Sequence, residues 1–294
     1  MKRLFGVTTA MVTPYDRNGD IDIVAMQKLT EFLIQKNVNC LYPCGTTGEM
    51  MLLSPEERET LAEIVVKTAN KRVSVFIHAG AMTTKETVRL AQHAEKIGAD
   101  GIGVVTPSFF SMTEKGILNF YKTVSSAVSK TFPVYVYVIP QCAVNDISPR
   151  LMQEIANNCP NIIGVKYSGF DMVKVKDYLR INDETFSVVL GLDRLFVPAL
   201  TMGCDGVVSG CSCAIPEPFV KIYKLWQENN MKEAMEENKK AAEICEKLGN
   251  GSDMSIFKHV LLQRGLPVGP VRPPLLELSA EEWEQRYRYL KEYI

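Results

Sequence analysis

The sequence predicts an α/β fold, a (β/α)8 TIM barrel with a C-terminal helical extension, and three observations carry that expectation. Short apolar runs rich in β-branched residues occur eight times, longer amphipathic segments separate them, and the runs are apolar at nearly every position instead of every second one. Continuous apolar character belongs to strands covered on both faces, as in a parallel sheet crossed by helices. A set of eight favours a closed barrel over a doubly wound sheet.

The strands are expected at 4–10, 38–42, 73–78, 101–105, 133–138, 161–166, 186–190 and 205–209. Helices fill the intervals. Ser54-Pro55-Glu56-Glu57 is a capping box with proline at the first helical position, and Ser148-Pro149 repeats its Ser-Pro part. Past residue 215 no further strand is convincing. Helical patterns run over 217–229, 231–248, 253–263 and 280–293, the last opened by the capping box from Ser279 to Glu282. Residues 1–215 should therefore form the catalytic barrel and 216–294 a helical extension. The two should pack as one unit, because no Pro/Gly/Ser-rich linker separates them.

A chain of 294 residues with 46% hydrophobic content can bury the core of one such barrel. Lys plus Arg is 33 against 34 for Asp plus Glu, a formal charge of -1, so no broad cationic surface for nucleic acid or an anionic membrane is indicated. The expected partners are small molecules. Eight cysteines scattered through regular segments, with no secretory leader before them, fit a reducing, cytoplasmic setting. Met1 to Val7 mimics a signal peptide, but its apolar stretch is short and interrupted by Thr8-Thr9 and Pro14; it reads as the first strand. No apolar run approaches the roughly 18 residues of a membrane span.

In a barrel, chemistry gathers where strands end. Lys166 closes the apolar run Ile162-Ile163-Gly164-Val165 and precedes Tyr167-Ser168-Gly169. Desolvation there favours the neutral amine, the form that attacks a carbonyl, so Schiff-base chemistry is one reading; a lysine reaching into solvent is the other. The second strand empties into Cys44-Gly45-Thr46-Thr47-Gly48-Glu49, where freed backbone and two hydroxyls could hold a carboxylate, or simply form a Gly-rich turn. Alternation in Val134-Tyr135-Val136-Tyr137-Val138 sends both tyrosines to one face, with Tyr137 nearest the exit, as a proton shuttle or a core phenol. Together, an amine, a phenol and an anion cradle are what keto-acid chemistry requires.

These residues resemble the dihydrodipicolinate synthase/N-acetylneuraminate lyase family, class I pyruvate-dependent aldolases. The matching landmarks are Gly45 to Glu49, Tyr137 with Pro140, Gly164-Val165-Lys166, Gly191 with Asp193, Asp205 to Ser209, and Arg272-Pro273-Pro274-Leu275, spread over nearly the whole chain. The resemblance implies Lys166 as the imine-forming lysine and Tyr137 as proton donor and acceptor. Thr46 and Thr47 would relay protons and bind the pyruvate carboxylate, and Gly191 and Val208 would line the pocket through their backbones. It also implies a homotetramer built as a dimer of dimers, with no metal or organic cofactor beyond the covalent lysine imine.

Two positions depart from that pattern. Cys142 stands where the synthase branch has an arginine for the semialdehyde carboxylate; losing that charge-assisted contact should cost roughly 1.5–3 kcal/mol and argues against lysine biosynthesis. Phe109 stands where a tyrosine contributed across the dimer joins the proton relay, and phenylalanine cannot pass a proton. Cleavage or synthesis of a 2-keto-3-deoxy acid, to or from pyruvate and an aldehyde, fits such a remodelled pocket. The alternatives are 4-hydroxy-tetrahydrodipicolinate (dihydrodipicolinate) synthase and a non-catalytic small-acid-binding regulator, which the intact Lys166, Tyr137 and Thr47 set opposes. Arg194, beside Asp193, is a candidate replacement cation or a solvated helix arginine. His78 could reach the pocket from the end of strand three, or serve structurally. His93 and His259 lack partners at zinc spacing, and Cys211-x-Cys213 lacks a second pair, so packing is expected there and no metal site.

Overall fold

The computed structural model describes residues 1–251 and 253–294. Strands β1 (Gly6–Ala10), β2 (Cys40–Tyr42), β3 (Ser74–His78), β4 (Gly101–Val105), β5 (Val134–Val138), β6 (Ile162–Tyr167), β7 (Ser187–Leu190) and β8 (Gly206–Ser209) close a barrel in sequence order. Every pairing is parallel, and β8 returns to β1 with Val7 opposite Val207.

Helices α1 (Ile23–Gln35), α2 (Pro55–Ala69), α3 (Thr84–Lys96) and α4 (Glu114–Ser126) follow the first four strands. A short α5 (Pro140–Ala143) precedes α6 (Pro149–Asn158), and α7 (Met172–Tyr178) and α8 (Phe196–Met202) complete the ring. The short α9 (Cys211–Ala214) then leads into α10 (Glu217–Gln227), α11 (Met231–Lys247), α12 (Met254–Gln263) and α13 (Ala280–Leu290). Both capping boxes form, Ser54 with Glu57 and Ser279 with Glu282, and the Ser148 hydroxyl accepts from the Leu151 N–H. The two four-residue helices escaped the sequence pattern because one turn has no periodicity to read.

Alternation along the strands divides the core. Val134, Val136 and Val138 pack outward with the helices, whereas Tyr135 fills the barrel interior beside Tyr42, Phe76 and Val208. The interior is crowded enough that facing strands carry glycine: a Cβ on Gly103 would stand 1.8 Å from the Tyr42 hydroxyl, and one on Gly164 would stand 2.5 Å from the Tyr135 ring. Tyr135 keeps its buried hydroxyl satisfied, donating to Ser187 Oγ at 2.7 Å and accepting from the Leu4 N–H at 3.0 Å.

One irregularity decides where Lys166 points. Val134 pairs with Ile162 but Tyr135 pairs with Gly164, so Ile163 is an extra residue in β6. Ile162 packs outward, Ile163 and Gly164 both face the interior, and the restored alternation sets Lys166 inside the barrel, directly beside Tyr137. The strand also runs one residue beyond Lys166, because Ser168 donates to the Val138 carbonyl and Gly191 to that of Tyr167, both at 2.8 Å.

The C-terminal helices share the barrel's outer core. Ile256, Phe257, Val260 and Leu261 of α12 are fully buried in the same apolar cluster as Val7 and Val207.

Gly103→Ala is expected to lower unfolding free energy by about 1–3 kcal/mol through overpacking. Adding Tyr42→Phe should recover part of the loss, since it removes the atom nearest the new methyl but leaves Cζ 2.8 Å away. Urea unfolding of the single and double variants checks this; a Gly103→Ala protein as stable as the parent refutes the packing account.

Candidate active site

The Lys166 side chain lies within the barrel mouth, 5% exposed, with Nζ 3.9 Å from the centroid of the Tyr137 ring and 4.9 Å from that of Tyr42. Aromatic faces flank the amine on two sides, and among the described residues it forms no ion pair with a carboxylate. The Tyr137 hydroxyl is 3.3 Å from Thr46 Oγ1, so the phenol of β5 and the loop after β2 meet beside the amine.

That loop is tightly wound. Gly48 and Glu49 donate back to the carbonyls of Gly45 and Thr46, each at 3.0 Å, the Thr13 hydroxyl holds the Gly48 carbonyl at 2.7 Å, and Glu49 takes a left-handed backbone with φ of 59°. Thr47 is buried across from β8, where a Cβ on Gly210 would stand 3.1 Å from its hydroxyl. A Cβ on Gly191 would stand 1.9 Å from the Ser168 hydroxyl and 3.5 Å from Lys166 Cε, so only glycine leaves the backbone of this strand exit open to the amine. Val208, 3% exposed, belongs to the barrel interior. The geometry thus brings Lys166, Tyr137, Thr46 and Gly191 together, with Thr47 one residue along the same loop.

Other expected residues lie elsewhere. Phe109 is 74% exposed, stacked edge-on against Phe110 at 5.1 Å, and does not approach Tyr137 within this chain. Cys142 is exposed on α5, just past the exit of β5. Arg194 pairs with Glu246 of α11 at 3.2 Å, which directs its guanidinium toward the helical extension. The Asp193 carboxylate accepts from the Cys211 N–H at 3.2 Å, and burial pushes its pKa up. Its nearest thiols are those of Cys211 and Cys245, the three potential ligand atoms lying within 4.8 Å of one another. Cys211 therefore meets Cys245, not Cys213, a neighbour that sequence spacing could not show. Hydrogen bonding to Cys245, then burial, pushes the Cys211 thiol well up, so protons occupy this group and a cation would have to displace them.

Tyr42 and Arg58 extend the site beyond the sequence expectation and join His78, which that expectation had named. Arg58 reaches from α2 to the His78 carbonyl at 2.7 Å and to its Nδ1 at 3.2 Å. Guanidinium only donates, so Nδ1 accepts and the imidazole proton is assigned to Nε2. Burial first, then the charges of Arg58 and Lys166, hold His78 well below its usual pKa, and the ring stays neutral. Its ring is 5.9 Å from that of Tyr137, and neither Nε2 nor the Tyr42 hydroxyl has a hydrogen-bond partner among the described residues. The inward parity of Tyr42 was readable from its alternation with Leu41; the reach of Arg58 was not.

The sequence matches the model of the Dihydrodipicolinate synthetase family over residues 3–293. The chain belongs to this family. Among its relatives, a 4-hydroxy-tetrahydrodipicolinate synthase of Syntrophus aciditrophicus is 33% identical over 288 residues, 98% of either chain. A probable 2-dehydro-3-deoxy-D-pentonate aldolase of Escherichia coli is 31% identical, covering 96% of this chain and 94% of that one. The crystal structure of dihydrodipicolinate synthase from Aquifex aeolicus superposes with a TM-score of 0.93 at 30% identity, over 99% of this chain and 98% of that one. A Ruminococcus gnavus sialic acid aldolase, solved as a catalytic lysine mutant, gives 0.91 at 28% identity over the whole of both chains. The family member described here is accordingly an enzyme, a carbon–carbon lyase of the class I aldolase type. No helix among the described residues is long and apolar enough to cross a membrane.

The buried, neutral His78 has a pH signature. Unfolded, it binds a proton near 6.5; folded, it does so only at much lower pH, so below 6.5 the unfolded state holds more protons and stability falls with falling pH. Between pH 7 and 5.5 the parent should lose about 1 kcal/mol more than His78→Gln. Urea unfolding at both pH values measures the difference, and parallel losses would mean that His78 is free to charge in the fold.

Proposed function

We propose that this enzyme is a pyruvate-dependent aldolase that cleaves or forms a 2-keto-3-deoxy acid through a Schiff base on Lys166. One observation carries the proposal: the Lys166 amine lies between two aromatic rings, next to a phenol that is itself hydrogen-bonded to the anion-cradle loop. In this scheme the Thr46–Thr47 loop binds the acid's carboxylate, with Thr47 and the backbones of Gly191 and Val208 shaping the pocket. The Lys166 nitrogen adds to the ketone carbon, and loss of water leaves an iminium. Tyr137 takes the proton of the C4 hydroxyl, the C3–C4 bond breaks to release an aldehyde, and its electron pair becomes the enamine of pyruvate. Proton return to C3 and hydrolysis free pyruvate and the amine. The iminium is the electron sink, so the scheme requires no metal or organic cofactor.

Cys142 in place of a cation and the engagement of Arg194 by Glu246 support this substrate class over a semialdehyde bearing a second carboxylate. Asp193, two residues past the pocket-lining Gly191, stands at the same strand exit as a specificity candidate. The synthase reaction is the second possibility, favoured by the name of the Syntrophus relative; robust turnover of pyruvate with aspartate semialdehyde would establish it. The further parts of the proposal are a barrel of 1–215 with a packed extension of 216–294, a cytoplasmic setting, and a homotetramer arranged as a dimer of dimers. The exposed Phe109 and Phe110 support a subunit contact on the barrel's mouth side.

Borohydride with pyruvate should trap a reduced adduct on Lys166, and Lys166→Ala should show none; an adduct of equal yield in Lys166→Ala would refute the proposal. Tyr137→Phe should lower kcat for 2-keto-3-deoxy acid cleavage by about 10²–10⁴-fold, the usual loss for a general acid–base, with trapping still centred on Lys166. Pyruvate release from a panel of such acids reads out the substrate.

A further inference from the structure

Glu49 ends the cradle motif, yet its side chain is claimed by the C-terminal extension. Its carboxylate is paired with Lys258 of α12 at 2.7 Å, with the two side chains 0% and 1% exposed, and its other oxygen accepts from the Arg272 N–H at 2.9 Å. Lys258 also donates to the Pro270 carbonyl at 2.6 Å. The Arg272 guanidinium grips Glu57 of α2 through both nitrogens at 2.9 and 2.7 Å, and reaches the Leu52 and Gly19 carbonyls, each at 2.6 Å. Between the two cations stands the ring of Tyr15, 4.3 Å from Lys258 Nζ and 4.5 Å from Arg272 Cζ.

A dry ion pair of this kind contributes little net stability, because the cost of stripping water from both charges offsets their attraction. What it does supply is one geometry. The Glu49 backbone is left-handed, at φ of 59°, and its N–H binds the Thr46 carbonyl, so fixing its carboxylate fixes the peptide units of the Thr46–Thr47 loop. We infer that Glu49, Lys258 and Arg272 are positioning residues, through which the C-terminal extension sets the affinity of the Thr46–Thr47 loop for the substrate carboxylate. The inference rests on the Schiff-base function proposed above and assigns α12 a part in holding the substrate carboxylate.

The test reads pyruvate half-saturation from the rate of borohydride trapping in the full-length protein, with melting temperature measured alongside. Lys258→Met and the double variant Glu49→Gln/Lys258→Met should each raise half-saturation about tenfold or more, while trapping at saturating pyruvate stays within about twofold and on Lys166. The double variant leaves no unpaired charge, so it keeps the test valid if Lys258→Met fails to fold. Unchanged half-saturation, or a double variant restored to the parent value, overturns the inference, since either result reduces the pair to mere charge neutrality. In the parent protein, saturating pyruvate should slow amide exchange in 254–263, because coupling between sites is reciprocal. Absence of that protection overturns the inference even if neither variant folds. A parent protein that pyruvate and borohydride do not label would instead sink the function itself.

Discussion

The extra residue at Ile163 is the constraint on which the site depends. In a strand the side chains alternate, so a shift of one residue sends every following side chain to the other face. Without the bulge, Val165 would stand beside Tyr137 and Lys166 would point into the helical layer, where an ammonium has neither water nor a partner. With it, Lys166 pairs with Tyr137 across the β5–β6 ladder, and the amine and phenol are held by backbone hydrogen bonds instead of by loop conformation. Parallel pairing on both sides of β6 and closure of the sheet make that register hard to slip.

Around this pair the barrel places its polar groups in two ways. Deep in the interior, polar atoms are largely satisfied, as in the contacts from Leu4 through Tyr135 and Ser187 to Asp205. Near the mouth, the Tyr42 hydroxyl and His78 Nε2 are left without partners among the described residues. Buried donors without acceptors cost free energy, and they concentrate where a ligand or an ordered water completes them.

The C-terminal extension covers the barrel with apolar surface and, through Lys258 and Arg272, also holds the loop that follows β2. Family membership places this architecture among synthases and aldolases alike. Cys142 and Arg194 bear on the choice between them: one is a thiol at the exit of β5, the other a cation paired at the surface with Glu246.

Periodicity, composition and strand-end residues were enough to determine eight strands, the helices between them and the helical tail, and to bring Lys166, Tyr137 and the Thr46–Thr47 loop forward as candidates for chemistry. These are properties of residues near one another in the chain, and local patterns report them. The Ile163 bulge, the Arg58–His78 contact, the Cys211–Cys245 approach and the Glu49–Lys258 pair were decided only by tertiary structure. Each joins residues through a packing choice that no spacing encodes: Glu49 and Lys258 are 209 residues apart, and only the closed barrel with α12 docked against it puts their charges in the same dry space.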